Sequence, residues 1–114
     1  MASKKELLQF LDSRVFNPIL RANEHDFRES DRKALADVQD STKSEKARFH
    51  GYRSAQEIRD NYLSDLHSDT ARRINQELRR LKLPRLPDVK EEFLAIADGE
   101  KRKSDKRTKT AGGS

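Results

Sequence analysis

The apolar side chains of this chain recur at helical spacing, and nowhere do they form a long continuous run. In the first segment Leu7, Leu8, Leu11 and Val15 would share one face of a helix. A parallel sheet covered on both faces needs near-continuous apolar strands, whereas a narrow stripe suits an amphipathic helix. Composition agrees, since 32% of residues are hydrophobic and 39% are charged. The pattern therefore predicts an all-α fold with a thin core.

Serine residues followed three positions later by glutamate predict two helix N-termini. Ser3 with Glu6 and Ser54 with Glu57 both match the capping box. Between residues 58 and 82 the apolar stripe rotates by roughly 100°, which a straight helix cannot bury against one neighbour. We therefore expect a break at residues 67–69, with Ser68 capping a fourth helix that runs to about residue 82.

Pro18 interrupts the first helical pattern. It disfavours the α conformation at Asn17 and has no N–H to donate, so the first helix should end or kink near Phe16. Alternatively, Asn17 caps a new short turn that begins with Pro18. The residues from 21 to 29 have the composition of a loop.

A second helix is predicted from about residue 30 to Gly51, with Ser30 or Asp31 as its cap. Leu35, Val38, Thr42 and Phe49 would form its buried face. Its middle is weak, because Ala47 is the only apolar side chain between residues 39 and 48. We expect this stretch to be exposed or partly frayed.

The end of the chain contains two prolines, a short final helix from about Val89 to Ala97, and a terminating Gly99. Beyond Gly99 every residue is polar or small. The sequence thus predicts a single helical domain over residues 1–99. This domain is a small four-helix bundle, or a five-helix one if the short turn after Pro18 is counted. Residues 100–114 are predicted to be a disordered basic tail.

Charge is distributed unevenly along the chain. Residues 1–99 contain 19 Lys/Arg and 18 Asp/Glu, a net charge of +1, whereas residues 100–114 contain 6 and 2, a net charge of +4. Within the nearly neutral domain, four arginines and a glutamine should share the solvent face of the fourth helix, and Glu77 is the only acid among residues 70–87. These five residues are Arg72, Arg73, Gln76, Arg79 and Arg80.

Arginine forks donate paired hydrogen bonds to phosphates and carboxylates, and this property makes the fourth helix a candidate anion-binding surface. A solvated face with cations near a helix C-terminus is the simpler interpretation. The tail could add electrostatic, salt-sensitive attraction without base stacking, because it contains no aromatic residue. Its candidate contacts are Lys101, Arg102, Lys103, Lys106 and Arg107.

The sequence therefore predicts a non-enzymatic binding protein whose partner is acidic, with nucleic acid as the first candidate. The alternative is a protein–protein adaptor or a small regulatory homodimer without a nucleic-acid role. In that case surplus aromatic side chains would form the contact. A helix-turn-helix reader around Gly51 is disfavoured, since Glu57 and Asp60 would face phosphate.

Several function classes lack their characteristic residues. The chain has no cysteine, and its four glycines all lie at position 51 or later, so neither thiolate chemistry nor a phosphate-cradling glycine loop is predicted. The three histidines are widely spaced, and no metal site or cofactor is expected. Without a membrane-spanning stretch or an export-type apolar segment, we expect no membrane partner and a cytoplasmic location.

Overall fold

The computed structural model describes residues 2–99, and within them the all-α prediction is confirmed. Five helices have eight or more residues, and a four-residue helix follows the first of them. The helices are α1 (Lys4–Leu11), α2 (Asn17–Leu20), α3 (Glu29–His50), α4 (Ala55–Leu66), α5 (Asp69–Arg80) and α6 (Lys90–Ala97). Short 3-10 turns lie at Glu24–Asp26 and Leu86–Val89. No strand occurs in this part of the chain.

Pro18 does not stop the helical path, although α1 itself ends at Leu11, five residues before the end or kink predicted near Phe16. A π-helical segment, Asp12–Phe16, joins α1 to α2, and the Asn17 N–H donates to the carbonyl of Asp12. The wider turn accommodates a proline that cannot donate to the turn before it. Asn17 has helical backbone angles and does not cap α2; its side chain instead accepts a hydrogen bond from Lys46 of α3.

Helix α3 is longer and more regular than the sequence predicted. It begins at Glu29 after Arg28, and neither Ser30 nor Asp31 serves as its cap. The middle stretch is helical throughout, because the buried Leu35, Val38 and Thr42 anchor one side of it on the core. Tertiary packing therefore overrides the weak local pattern between residues 39 and 48.

The predicted serine caps are present. The Ser3 hydroxyl accepts from the Glu6 N–H, and the Glu6 carboxylate accepts from the Ser3 N–H, which completes the capping box. Ser54 accepts from the Glu57 N–H, but the Glu57 carboxylate reaches back to the Arg53 N–H instead of closing a second box. Ser68 accepts from the N–H of residue 71, so the break between α4 and α5 lies where it was predicted.

Two helices end with left-handed residues. Gly99 has φ 90° after α6, as expected for a helix terminator. Helix α5 ends at Arg80, and Lys82 then has φ 62° while the Leu83 N–H donates to the carbonyl of Leu78. This Schellman-type closure stops α5 two residues before the predicted end.

The core lies where α1, α4 and α6 meet and continues to α3 and α5. Tyr62 of α4 stacks on Phe93 of α6 with ring centroids 4.0 Å apart. The Tyr62 hydroxyl donates to the carbonyl of Leu86, so its one polar group is satisfied although the residue is fully buried. Among residues 2–99, no helix is long and apolar enough to cross a membrane.

Candidate functional site

Helix α5 separates its apolar and cationic side chains more clearly than any other element. Leu78 is buried and Ile74 is half-buried against the core, whereas the five predicted residues are exposed. We refer to these five residues as the α5 arginine face: Arg72, Arg73, Gln76, Arg79 and Arg80. The structure thus brings together the predicted residues of the domain on one solvent surface.

Two of the four arginines have acidic partners, which corrects the premise that this face lacks local neutralisation. Arg72 lies 3.2 Å from Asp69, and Arg80 lies 2.9 Å from Glu77, each pair spaced three residues apart. Arg80 also reaches Asp31 of α3 at 2.6 Å. The Asp69 pairing was accessible from sequence, because Asp69 lies one position before the 70–87 stretch in which Glu77 is the only acid.

The other two arginines extend into solvent without an acidic partner. Among residues 2–99, neither Arg73 nor Arg79 forms an ion pair or a side-chain hydrogen bond. The predicted tail contacts Lys101, Arg102, Lys103, Lys106 and Arg107 lie outside the described residues. Within the described residues, two of the four arginines of this face therefore have a charge that no acidic side chain neutralises.

A cleft that the sequence did not reveal lies on the opposite side of α5. Its volume is about 340 Å³, within the range of small-molecule sites. We call it the central cleft. Its walls come from the π-helical segment, α2, α3 and α5, with Asp65 of α4 and Leu86 at its border.

Three charged residues form one wall of the central cleft. The Nη2 of Arg48 donates to Oε2 of Glu45 at 2.7 Å and to Oδ2 of Asp65, while its Nη1 donates to the hydroxyl of Tyr52. Burial and hydrogen bonding with Asp65 raise the pKa of Glu45 to about 7, against the lowering effect of Arg48. The wall therefore has two carboxyl groups for one guanidinium.

The aromatic residues divide between core and surface. Phe16, Phe49, Tyr62 and Phe93 are fully buried, and the rings of Phe16 and Phe49 lie 5.8 Å apart. The partly buried aromatic residues are Phe10, Phe27 and Tyr52. A homodimer seam built from the aromatic side chains of this part of the chain would have to use these three.

The histidines do not converge. His50 lies 2.9 Å from Asp12, and His25 lies 3.9 Å from Glu24 in an exposed turn. Within residues 2–99, no group of three or more histidine and acidic side chains is arranged to hold a metal ion.

Comparison of the chain with protein-family models, with curated proteins and with solved structures finds no match. The candidate functional surfaces are therefore the two sides of α5, which are the arginine face and the wall of the central cleft.

Proposed function

We propose that this protein is a non-enzymatic binding protein whose α5 arginine face engages an acidic partner, with nucleic acid as the first candidate. The observation that supports it most is the pair of exposed arginines, Arg73 and Arg79, that have no acidic partner among the described residues. Guanidinium groups without an acidic partner can use all their N–H donors for phosphate oxygens.

The two paired arginines add to the same surface. Arg72 and Arg80 are 67% and 50% exposed in their ion pairs, and such pairs contribute only about 0–1 kcal/mol. A phosphate group can replace the Asp69 or Glu77 carboxylate at little cost. From residue 72 to residue 80 the helix rises about 12 Å, a length over which duplex DNA presents about seven charges.

The face supports backbone recognition without sequence reading. Its one amide, Gln76, is the only side chain of the five with both a donor and an acceptor for a base edge. Contacts by guanidinium groups to phosphate are independent of base sequence and sensitive to salt. The proposal is therefore a sequence-tolerant contact, to which the basic tail adds charge. A cytoplasmic location is part of the same proposal.

The test replaces Arg73 and Arg79 by glutamine in the full chain and measures duplex DNA binding across a salt series. Loss of two phosphate contacts should flatten the slope of log K against log salt by about 1.8. The matched control is Arg21→Gln with Arg53→Gln, which removes the same charge from exposed arginines outside α5. An equal effect of the control pair would contradict the proposal, because net charge alone would then explain the binding.

The alternative is a protein–protein adaptor or homodimer. Light scattering at two protein concentrations tests the homodimer, and a pull-down tests the adaptor. A concentration-dependent dimer lost on changing Phe10 or Phe27, together with no DNA or RNA binding, would favour this alternative over the nucleic-acid proposal.

A further inference from the structure

The central cleft is independent of the α5 arginine face. The α5 residues that border it lie between Thr70 and Leu78, and none of the five residues of the arginine face lines it. Phe16, Ile74 and Leu78 supply apolar walls, and the charged wall closes one side. An apolar cleft with a few converging polar groups has the general form of a small-molecule site.

A buried hydroxyl without a partner lies in this cleft. Thr42 is 5% exposed and lines the cleft, yet its side chain takes part in none of the hydrogen bonds formed within residues 2–99. Burial of a hydroxyl without a hydrogen bond is unfavourable, so such groups are ordinarily satisfied. Thr42 therefore offers an unused acceptor and donor inside the cleft.

The charged wall favours a cation over an anion. Arg48 is already engaged, because its two terminal nitrogens contact Glu45, Asp65 and Tyr52. Each carboxyl group uses one oxygen for Arg48, and the two carboxyl groups also form a hydrogen bond with each other, which requires a proton between them. An anionic ligand would meet two carboxyl groups, whereas a cation could take the place of the proton between these two groups.

We propose that the central cleft is a binding site for a small hydrophobic amine, with its ammonium group held by Glu45, Asp65 and the Thr42 hydroxyl. The apolar body of the ligand contacts Phe16, Ile74 and Leu78. An organic ammonium fits better than a metal ion, because no group of three or more metal-ligating side chains lies within residues 2–99.

The protonation of Glu45 is consistent with a bound amine. The pKa of Glu45 is about 7, raised by burial and by Asp65, so one proton partly offsets the two carboxyl charges near neutral pH. The charged groups that line the cleft are Glu45 and Arg48 of α3 and Asp65 of α4; the lining residues of α2, α5 and the π-helical segment carry no charge. A bound ammonium would take the place of the proton, and its binding should weaken as Glu45 becomes protonated.

The test compares 2-phenylethylamine with 2-phenylethanol, which share an apolar body and differ in the cationic head. Chemical-shift titration of the full chain by two-dimensional NMR at about pH 8 follows both ligands at residue resolution. We expect the amine to bind about tenfold more tightly, equivalent to about 1.4 kcal/mol, with shifts around Thr42, Ile74 and Leu78. This preference should fall at about pH 5.5.

Substitution of residues in the charged wall distinguishes the proposed amine site from nonspecific binding to an apolar surface. Glu45→Gln should abolish the preference for the amine while 2-phenylethanol binds as before, and Asp65→Asn serves as a second variant if the first does not fold. Glu91→Gln, an exposed acid on α6, is the matched control and should leave both ligands unchanged. Equal binding of the two ligands to the natural chain, no saturable amine binding at millimolar concentrations, or an unchanged preference in Glu45→Gln would each overturn the proposal.

Discussion

At the scale of single residues, Arg48 is the side chain that connects the most groups. It links Glu45 of its own helix to Asp65 of α4 and to Tyr52 in the intervening turn, and its guanidinium also lies 5.1 Å from the Phe49 ring centroid. Burial and the neighbouring Asp65 disfavour the charged form of Glu45 near neutral pH. The residue whose protonation changes is Glu45.

The raised pKa of Glu45 makes the stability of the fold depend on pH. Because the folded state binds this proton more tightly than the unfolded chain, the contribution is fully present below about pH 4.5 and is lost as pH rises through about 7. Glu45→Gln keeps a neutral group at every pH. We expect it to reduce the fall in melting temperature between about pH 5 and pH 8, and to melt above the natural protein at about pH 8.

The control for this prediction is again Glu91→Gln, because Glu91 is exposed and lies outside the charged wall of the central cleft. Melting followed by circular dichroism across this pH range is sufficient. If Glu45→Gln and the natural protein showed parallel pH profiles, the assignment of the raised pKa to Glu45 would be incorrect.

At the scale of elements, α5 supports both proposals, since one of its faces carries the arginines and the other borders the central cleft. Its position is set at both ends. Ser68 caps its N-terminus, and Lys82 in the left-handed region closes its C-terminus. A helix held in this way presents its exposed arginines in a fixed order along about 12 Å.

Removal of the cap should weaken α5 measurably. Ser68→Ala loses the hydrogen bond from the N–H of residue 71, and caps of this kind contribute about 1 kcal/mol, within a range of about 0.5–2. Urea denaturation should show a lower midpoint with an unchanged slope. Ser64→Ala, at an exposed position inside α4, should change stability by less than about 0.5 kcal/mol. Equal losses in the two variants would show that the cap contributes nothing specific.

The elements that sequence predicted well are those set by local chemistry. Ser3, Ser54 and Ser68 each accept a hydrogen bond from an N–H three residues on, and this spacing is visible in the sequence. The elements predicted less well depend on distant contacts. The passage of the helix through Pro18 uses a π-helical turn, and the regular middle of α3 depends on core packing that no local pattern encodes.

At the scale of the whole molecule, the candidate surfaces differ in how far apart their residues lie in sequence. The α5 arginine face lies on one helix, so the helical periodicity of the sequence was sufficient to predict it. The contact between Arg80 and Asp31 spans 49 positions and could not be predicted in this way. The central cleft combines residues between 15 and 86 from several elements, and its existence depends on how those elements pack.

The distribution of charge along the chain determines which part of the whole molecule attracts a polyanion. Residues 1–99 carry a net charge of only +1, so their attraction to a polyanion should come from the local α5 arginine face and not from the domain as a whole. Residues 100–114 carry +4 and could bind a polyanion by themselves. We therefore propose that the helical domain provides the binding surface.

The most direct measurement is a fluorescence-anisotropy titration of duplex DNA and single-stranded RNA with the full chain and with residues 1–99, at low and near-physiological salt. We expect residues 1–99 to retain salt-sensitive binding, and glutamine at positions 72, 73, 79 and 80 of this fragment to remove it. Binding by the full chain that disappears entirely in residues 1–99 would contradict the claim, because the tail would then account for all of the affinity.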